Sequence, residues 1–81
     1  MIVQVRLFAA ARQEAGSDVI DVELKNGATV ADVRDALASQ LPALASLLAR
    51  VAFAVDAEYA ADSREIPDGA EVACIPPVSG G

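Results

Sequence analysis

Apolar and polar residues alternate in two stretches near the amino terminus, a pattern typical of strands with one buried face. The first stretch, IVQVRLF, places its apolar members on one side, at Val3, Val5 and Leu7. The segment AAARQEAG then predicts a short helix that ends at Gly16, because glycine is favoured just past a helix end. The stretch DVIDVEL alternates again, and Asn26-Gly27 after it predicts a turn.

The clearest helix start is the segment TVAD. Thr29 is a suitable capping residue, and the charge of Asp32 in the first turn complements the helix dipole. Apolar residues then recur at roughly helical spacing, at Val30, Val33, Leu37 and Leu41. Pro42 ends the pattern, since proline has no N–H to donate and its ring clashes with the preceding turn. These features predict one long amphipathic helix.

Strand patterns return after this helix. ALASLLAR predicts a short helical piece, VAFAV a third strand, EYA a very short fourth strand and EVACI the last strand. The segment PDG marks a tight turn before the last strand. The order predicts an α+β fold in which a single sheet wraps one main helix. It is compatible with a first and a last strand that lie parallel and central.

The chain is acidic, with a net charge of −6 and a pI near 4.2 over 81 residues, which is the length of one domain. This charge argues against nucleic acid or an anionic membrane as a partner. It favours a basic protein surface or serves solubility, and both interpretations stay open. Acidity in the later half is expected to make association faster and sensitive to salt. It comes from Asp56, Glu58, Asp62, Glu65, Asp68 and Glu71.

Cellular location is indicated by three features. A single cysteine cannot form an internal disulfide, which fits a reducing compartment. The first residues lack the basic start and uninterrupted apolar run of a signal peptide. The apolar stretch LPALASLLA is far shorter than the roughly 20 residues that span a bilayer. We expect a cytoplasmic protein without membrane contact.

The body of the chain lacks the residues of common catalytic sites. It contains no histidine, its carboxylates are spread over turns and strand faces, and no glycine-rich loop resembles a phosphate site. Cys74 lies in phase with Val72 on the expected core face, which favours a packing role over a nucleophilic one. We expect no metal site and no cofactor of the chain's own.

The last residues, IPPVSGG, carry the candidate chemistry. Pro76 and Pro77 cannot donate to a sheet, so the last strand should stop near Ile75, leaving a domain of residues 1–75 and a flexible tail of 76–81. An extended tail would reach about 20 Å. Gly80 and Gly81 would fit a channel too narrow for side chains, and the carboxylate of Gly81 becomes an electrophile once a partner activates it with ATP.

Several segments together resemble one family. EVACIPPVSGG with PDG before it, LFAAARQEAG, TVADVRDAL and VAFAVDAEYA are similar to the small subunit of molybdopterin synthase, the sulfur carrier of molybdenum cofactor biosynthesis. The similarity spans nearly the whole chain and implies a ubiquitin-like β-grasp fold. The chain departs from the family at Cys74 and Ile75, where aromatic residues are frequent, and at Asp56, where asparagine is frequent.

The resemblance implies a role for the tail. An adenylating enzyme would use ATP to activate Gly81, and a sulfurtransferase would supply the sulfur of a thiocarboxylate. The large synthase subunit, in a heterotetramer, would use that sulfur to build the molybdopterin dithiolene from cyclic pyranopterin monophosphate. The chain would be a sulfur-donor subunit without catalytic side chains. The expected partner-binding residues are Ile75, Pro76, Pro77, Val78, Ser79 and Gly80.

Three alternatives stay open. Sulfur carriers for thiamine synthesis, tRNA thiolation or amino-acid synthesis share the Gly-Gly end, although the prolines and VSGG favour the molybdopterin branch. Ubiquitin-type conjugation fits less well, because Ser79 precedes the glycines and Lys25 is the only lysine. A simple interaction module would tolerate an added residue after Gly81, whereas a carrier would not.

Overall fold

The computed structural model describes residues 1–77, and the strands in this part form one five-stranded mixed sheet in the order β2-β1-β5-β3-β4. The elements are β1 (Ile2–Leu7), α1 (Ala9–Ala15), β2 (Val19–Glu23), α2 (Val30–Gln40), a 3-10 turn (Pro42–Leu44), α3 (Ala45–Leu48), β3 (Ala52–Val55), β4 (Glu58–Ala60) and β5 (Val72–Ile75). The first and last strands pair in parallel inside the sheet, and the other neighbours are antiparallel. The predicted α+β architecture is confirmed.

Alternation along the strands separates a core face from an outer face. Burial in β1 follows the predicted period of two, with Val3, Val5 and Leu7 inside. The register aligns these inward positions across strands, pairing Val5 with Val72 on β5. Phe53 of β3 pairs in the same way with Cys74, and both are at most 1% exposed. The buried side chains therefore form one continuous layer across the interior strands.

Helix α2 covers this layer and begins at the predicted cap. The carboxylate of Asp32 accepts hydrogen bonds from the N–H of Thr29 at 2.8 Å and from its hydroxyl at 3.2 Å. The predicted apolar face is buried at Val30, Val33 and Leu37. Leu41 is half-buried and lies just past the last helical residue, where Pro42 opens the 3-10 turn. The sequence therefore predicted both the position and the orientation of this helix.

Arg34 joins α2 to two other segments. Its Nη1 donates to the carbonyl of Leu48 and, at 3.1 Å, to that of Val51, while Nη2 donates to the carboxylate of Asp62 at 2.8 Å. The guanidinium also lies 5.0 Å from the ring centroid of Phe53, within the range of a cation–π contact. One half-buried side chain thus fixes the helix to the chain that enters β3.

A two-residue turn joins β3 to β4. Asp56 has φ of 49° and Ala57 φ of 68°, and two successive positive φ values define the type I′ hairpin turn. The carboxylate of Asp56 accepts from the N–H of Glu71 at 3.0 Å, and its own N–H donates to the Glu71 carbonyl at 2.8 Å. Asparagine would meet both requirements as well, since it tolerates positive φ and carries a side-chain acceptor.

We expect Ala57→Gly to stabilise the domain by about 1 kcal/mol, because a left-handed backbone costs a residue with Cβ roughly 1–2 kcal/mol. Part of that gain is lost to the greater freedom of glycine in the unfolded chain. Urea denaturation gives the measurement. Ala61→Gly, in an exposed loop at ordinary φ, is the control and should be neutral or slightly destabilising. Equal effects of the two substitutions would contradict the prediction.

Candidate functional site

The tail leaves the domain from the middle of the sheet. Strand β5 lies between β1 and β3 and ends at Ile75, as predicted, because the two following prolines have no N–H to offer either neighbour. Ile75 is half-buried, Pro76 is buried and Pro77 is exposed. Pro76 therefore packs against its own domain and fixes the direction in which the chain leaves it.

The remaining predicted site residues, Val78, Ser79, Gly80 and Gly81, lie outside the described residues. Their assignment to partner binding and to chemistry stays a prediction, as does the division into a domain of 1–75 and a tail of 76–81. The described residues show the surface of the domain around the base of this tail.

An apolar hollow lies on the outer face of the sheet beside the tail. Phe8, which is 44% exposed, and Tyr59, which is 73% exposed, stand at its sides. Small residues form its floor, because the register pairs Ala54 with Ala73 and with Tyr59. Ile75 completes the lining of a space of about 600 Å³. Large exposed apolar side chains around one apolar hollow are typical of an interaction surface.

Charged residues border this hollow. Arg6 and Glu71 form an ion pair of 3.4 Å, and Asp56 lies beside Glu71 through the two hydrogen bonds described above. Both side chains of the ion pair are more than half exposed, so their attraction contributes little to stability. These charged side chains therefore surround the hollow and leave it open to a partner.

The predicted acidic half is partly neutralised in three dimensions. The sequence offers only Arg64 as a nearby cation, but the fold brings Arg34 to Asp62 and Arg6 to Glu71. These pairs involve residues far apart in the chain, so they were not visible in the sequence. The later half of the chain therefore presents less net negative charge to a partner than its number of carboxylates indicated.

The hollow itself was not predicted, although the sequence contained a signal for it. Ala52 and Ala54 alternate with the buried Val51, Phe53 and Val55, so small residues fall on the outer positions of β3. Alternation alone does not show that Phe8 and Tyr59 flank them, because these two residues come from a loop and from the edge strand.

Cys74 belongs to the core, as predicted. It is fully buried, and this burial raises the pKa of its thiol to about 11, against a smaller lowering by Arg34. The thiol is therefore protonated near neutral pH and lacks the thiolate that a nucleophile or a metal ligand requires.

Two further features are limited to the part of the chain that the structure describes. Among residues 1–77 no cluster of three or more histidine, cysteine or acidic side chains is arranged to hold a metal ion. Within the same range no helix has the length and apolar character needed to cross a membrane. The described domain thus offers a binding surface and a tail base as its candidate site.

A mixed sheet that wraps one main helix, with its central strand continuing into a tail, defines a ubiquitin-like β-grasp protein. The chain belongs to the ThiS family, whose model matches residues 5–81. This finding confirms the family resemblance and the fold predicted from the sequence.

Comparisons with individual proteins agree. The chain is 39% identical over 83 residues to the molybdopterin synthase sulfur carrier subunit of Chlamydomonas reinhardtii, covering 100% of both chains. The crystal structure of SAMP1 from Haloferax volcanii superposes with a TM-score of 0.87 at 32% identity, again over 100% of both chains. The crystal structure of the BexX/CysO complex of Amycolatopsis orientalis contains a chain with a TM-score of 0.70 and 27% identity, covering 98% of this chain and 99% of that one.

The buried thiol predicts a pH dependence of stability. Because the pKa of Cys74 is raised from 9.0 to about 11, the unfolded chain releases this proton first as the pH rises. The contribution of the Cys74 thiol to the free energy of unfolding is fully present below pH 9. It falls by an amount on the order of 2 kcal/mol by pH 11. Urea denaturation at a series of pH values measures it. Cys74→Ala is the control, and its stability relative to the unmodified protein should rise over this range; a constant difference would contradict the assignment.

Proposed function

We propose that this chain is the sulfur-carrier subunit of a molybdopterin synthase, and that the terminal carboxyl group of Gly81 carries the sulfur. The observation that carries the proposal is the path of β5. The central strand of a ubiquitin-like domain runs directly into two prolines and a sequence that ends in Gly80-Gly81. The likeness to the sulfur carrier of Chlamydomonas reinhardtii over the full chain supports the same conclusion.

Activation begins at the terminal carboxylate. One of its oxygens attacks the α-phosphorus of ATP, pyrophosphate leaves, and the product is an acyl adenylate. A hydrosulfide ion, supplied by the sulfurtransferase at the oxidation level of sulfide, then attacks the carbonyl carbon, and AMP leaves with the bonding electrons. The result is a thiocarboxylate, in which one oxygen of Gly81 is replaced by sulfur. The adenylating enzyme supplies ATP and catalytic groups, so the chain needs no cofactor of its own.

Sulfur transfer returns the chain to its starting state. The thiocarboxylate sulfur attacks a carbon of the precursor, cyclic pyranopterin monophosphate, on the large synthase subunit, and an oxygen substituent of that carbon leaves with the electrons of the broken C–O bond. Water then cleaves the resulting thioester, so that sulfur stays on the pterin and the carboxylate of Gly81 is regenerated. Two such transfers build the two sulfurs of a dithiolene. The carrier chain positions the carbonyl group of Gly81 and supplies no general acid or base for the reaction.

The domain positions that carbonyl group through the tail base and the outer face. Pro76 is packed into the domain, so the tail has a fixed starting point, and an extended path from there reaches about 20 Å. We infer that the hollow between Phe8 and Tyr59 docks on the large subunit while the tail enters its active site. Apolar anchors in a pocket carry much of the energy of such interfaces.

A protein partner fits the family's known arrangements. The Chlamydomonas reinhardtii relative is named as a subunit of a synthase, and the related chain of Amycolatopsis orientalis was crystallised in a complex. We propose a large synthase subunit as the main partner, in a heterotetramer, and an adenylating enzyme as a second partner that uses the same tail. Both act in the cytoplasm.

A second candidate follows from one similarity. The Haloferax volcanii structure with a TM-score of 0.87 is of SAMP1, and a Haloferax volcanii relative is named small archaeal modifier protein 1. Attachment to a protein amine would use the same adenylate but would place Gly81 in an amide bond. A purified system containing the large subunit, the precursor and the thiocarboxylated chain separates the two functions, because only a sulfur carrier yields molybdopterin there.

The position of Gly81 should decide activity. Deleting it or adding one residue after it displaces the reacting carbon by about 3.3–3.6 Å, and a 1 Å misplacement can cost roughly a hundredfold in rate. We expect either change to abolish thiocarboxylate formation and sulfur transfer, and Gly81→Ala to impair both. Intact mass after incubation with the adenylating enzyme, ATP and the sulfur source detects the exchange of one oxygen for sulfur.

Stability provides the control for these variants. The sheet ends at Ile75, so we expect urea denaturation of the deletion variant to match that of the unmodified chain. A folded chain without Gly81 that still forms molybdopterin in the purified system would overturn the proposed function.

The apolar hollow should carry binding to the large subunit. We expect Phe8→Asp or Tyr59→Asp to weaken that binding at least about tenfold, because each buries a carboxylate where an apolar anchor was lost. Ile2→Asp is the matched control, since Ile2 is 57% exposed but lines a neighbouring hollow that shares only Arg6 and Glu71 with the one between Phe8 and Tyr59. Calorimetric titration gives the affinities. Equal affinities for all three variants would contradict this assignment of the interface.

A further inference from the structure

Arg50 lies beside the base of the tail. The antiparallel register of β3 and β5 pairs Ala52 with Ile75, and Arg50 lies two residues before Ala52, in the turn between α3 and β3. Arg50 and Tyr59 line a hollow of about 290 Å³ together with Pro76 and Pro77 at the base of the tail. This hollow adjoins the one between Phe8 and Tyr59, because both include Tyr59 and Ile75.

Arg50 lies on the outer side of the sheet. It is exposed, whereas the following residue, Val51, is 4% exposed and belongs to the core; Arg50 lines a hollow that also includes Ala52 and Ile75. The side of the sheet that carries Ala52 and the apolar hollow therefore also carries this cation.

The backbone that presents Arg50 is held by another arginine. Arg34 donates to the carbonyls of Leu48 and Val51, which bracket it in the chain. The N–H of Arg50 itself donates to the carbonyl of Leu47 at 2.9 Å. With the backbone held on both sides, Arg50 loses less freedom when it binds a partner than a residue in a loose loop would.

Its charge has no counterpart within the described domain. The ion pairs among residues 1–77 are formed by Arg6 with Glu71 and Arg34 with Asp62, so no described carboxylate lies within 4.0 Å of the Arg50 guanidinium. The chain has a net charge of −6, and the residues from Pro76 to Gly80 carry no charged side chain. One cation thus lies at the base of a tail that has no charged side chain.

We propose that Arg50 is a specificity-determining residue that pairs with an aspartate or glutamate of the protein partner, at the mouth of the channel that receives the tail. The inference rests on the proposed function, since it assumes that the tail enters a partner. Insertion would remove water from the hollow, and a desolvated cation needs an anionic partner to avoid a large penalty.

The distance along the tail favours a protein carboxylate over a small-molecule phosphate. Gly81 is the fourth residue after Pro77, so an extended tail would carry the reacting carbonyl about 13 Å beyond the base. A nucleotide or pterin phosphate binds near that carbonyl, whereas Arg50 stays at the entrance. The group that faces Arg50 therefore belongs to the wall of the partner.

Charge reversal tests the proposal. Arg50→Glu, Arg50→Gln and Arg64→Glu are compared with the unmodified chain in calorimetric titrations against the large synthase subunit of the same organism, at low and high salt. Arg64 is an exposed arginine in the loop next to the start of α2, so its reversal changes the net charge equally at a site away from the tail. Urea denaturation of each variant shows whether the fold is retained.

We expect Arg50→Glu to raise the dissociation constant at least about tenfold, with a smaller rise for Arg50→Gln and a smaller gap at high salt. Arg64→Glu should stay within about twofold of the unmodified chain. Equal effects of the two reversals, or none from either, would overturn the role of Arg50 while leaving the proposed function intact. Failure of the unmodified chain to bind would instead overturn both.

Discussion

The parallel pairing of β1 with β5 is the contact on which the rest of the structure depends. It places the last strand of the described domain between the first strand and β3, so the chain leaves the sheet at Ile75 from an interior strand and not from an edge. The same pairing brings Val5 against Val72 and Leu7 against Cys74, which closes the core under α2. Because β5 is held on both sides, the base of the tail has one position relative to the outer face.

Much of this arrangement was predictable from local pattern. A period of two identified β1 and the inward position of Cys74, and the Thr29–Asp32 pair identified the start of α2. The turn glycines and prolines bounded the elements, because the conformational freedom of glycine and the fixed φ of proline act over one or two residues. These signals depend on residues close together in the chain, so they can be recognised from one sequence.

The interaction surface depended on relations that are not local. Phe8 and Tyr59 line the same hollow only because four strands, β1, β5, β3 and β4, are in register, and Arg34 reaches Leu48, Val51 and Asp62 from a helix. No spacing in the sequence indicates which of several arginines will be held by carbonyl groups. Ala57 is the opposite case, since alanine in a left-handed turn goes against its local preference and the hairpin imposes that conformation.

The central position of β5 also has a consequence for biosynthesis. Chains fold from the amino terminus as they leave the ribosome, and β1 to β4 all emerge before β5 does. Until then β1 and β3 each present an unpaired edge, because the strand that lies between them has not yet been made. A product that stops before residue 72 would keep both edges open and would be prone to aggregation or proteolysis. The sheet therefore closes only around chains that have already been extended to the base of the tail.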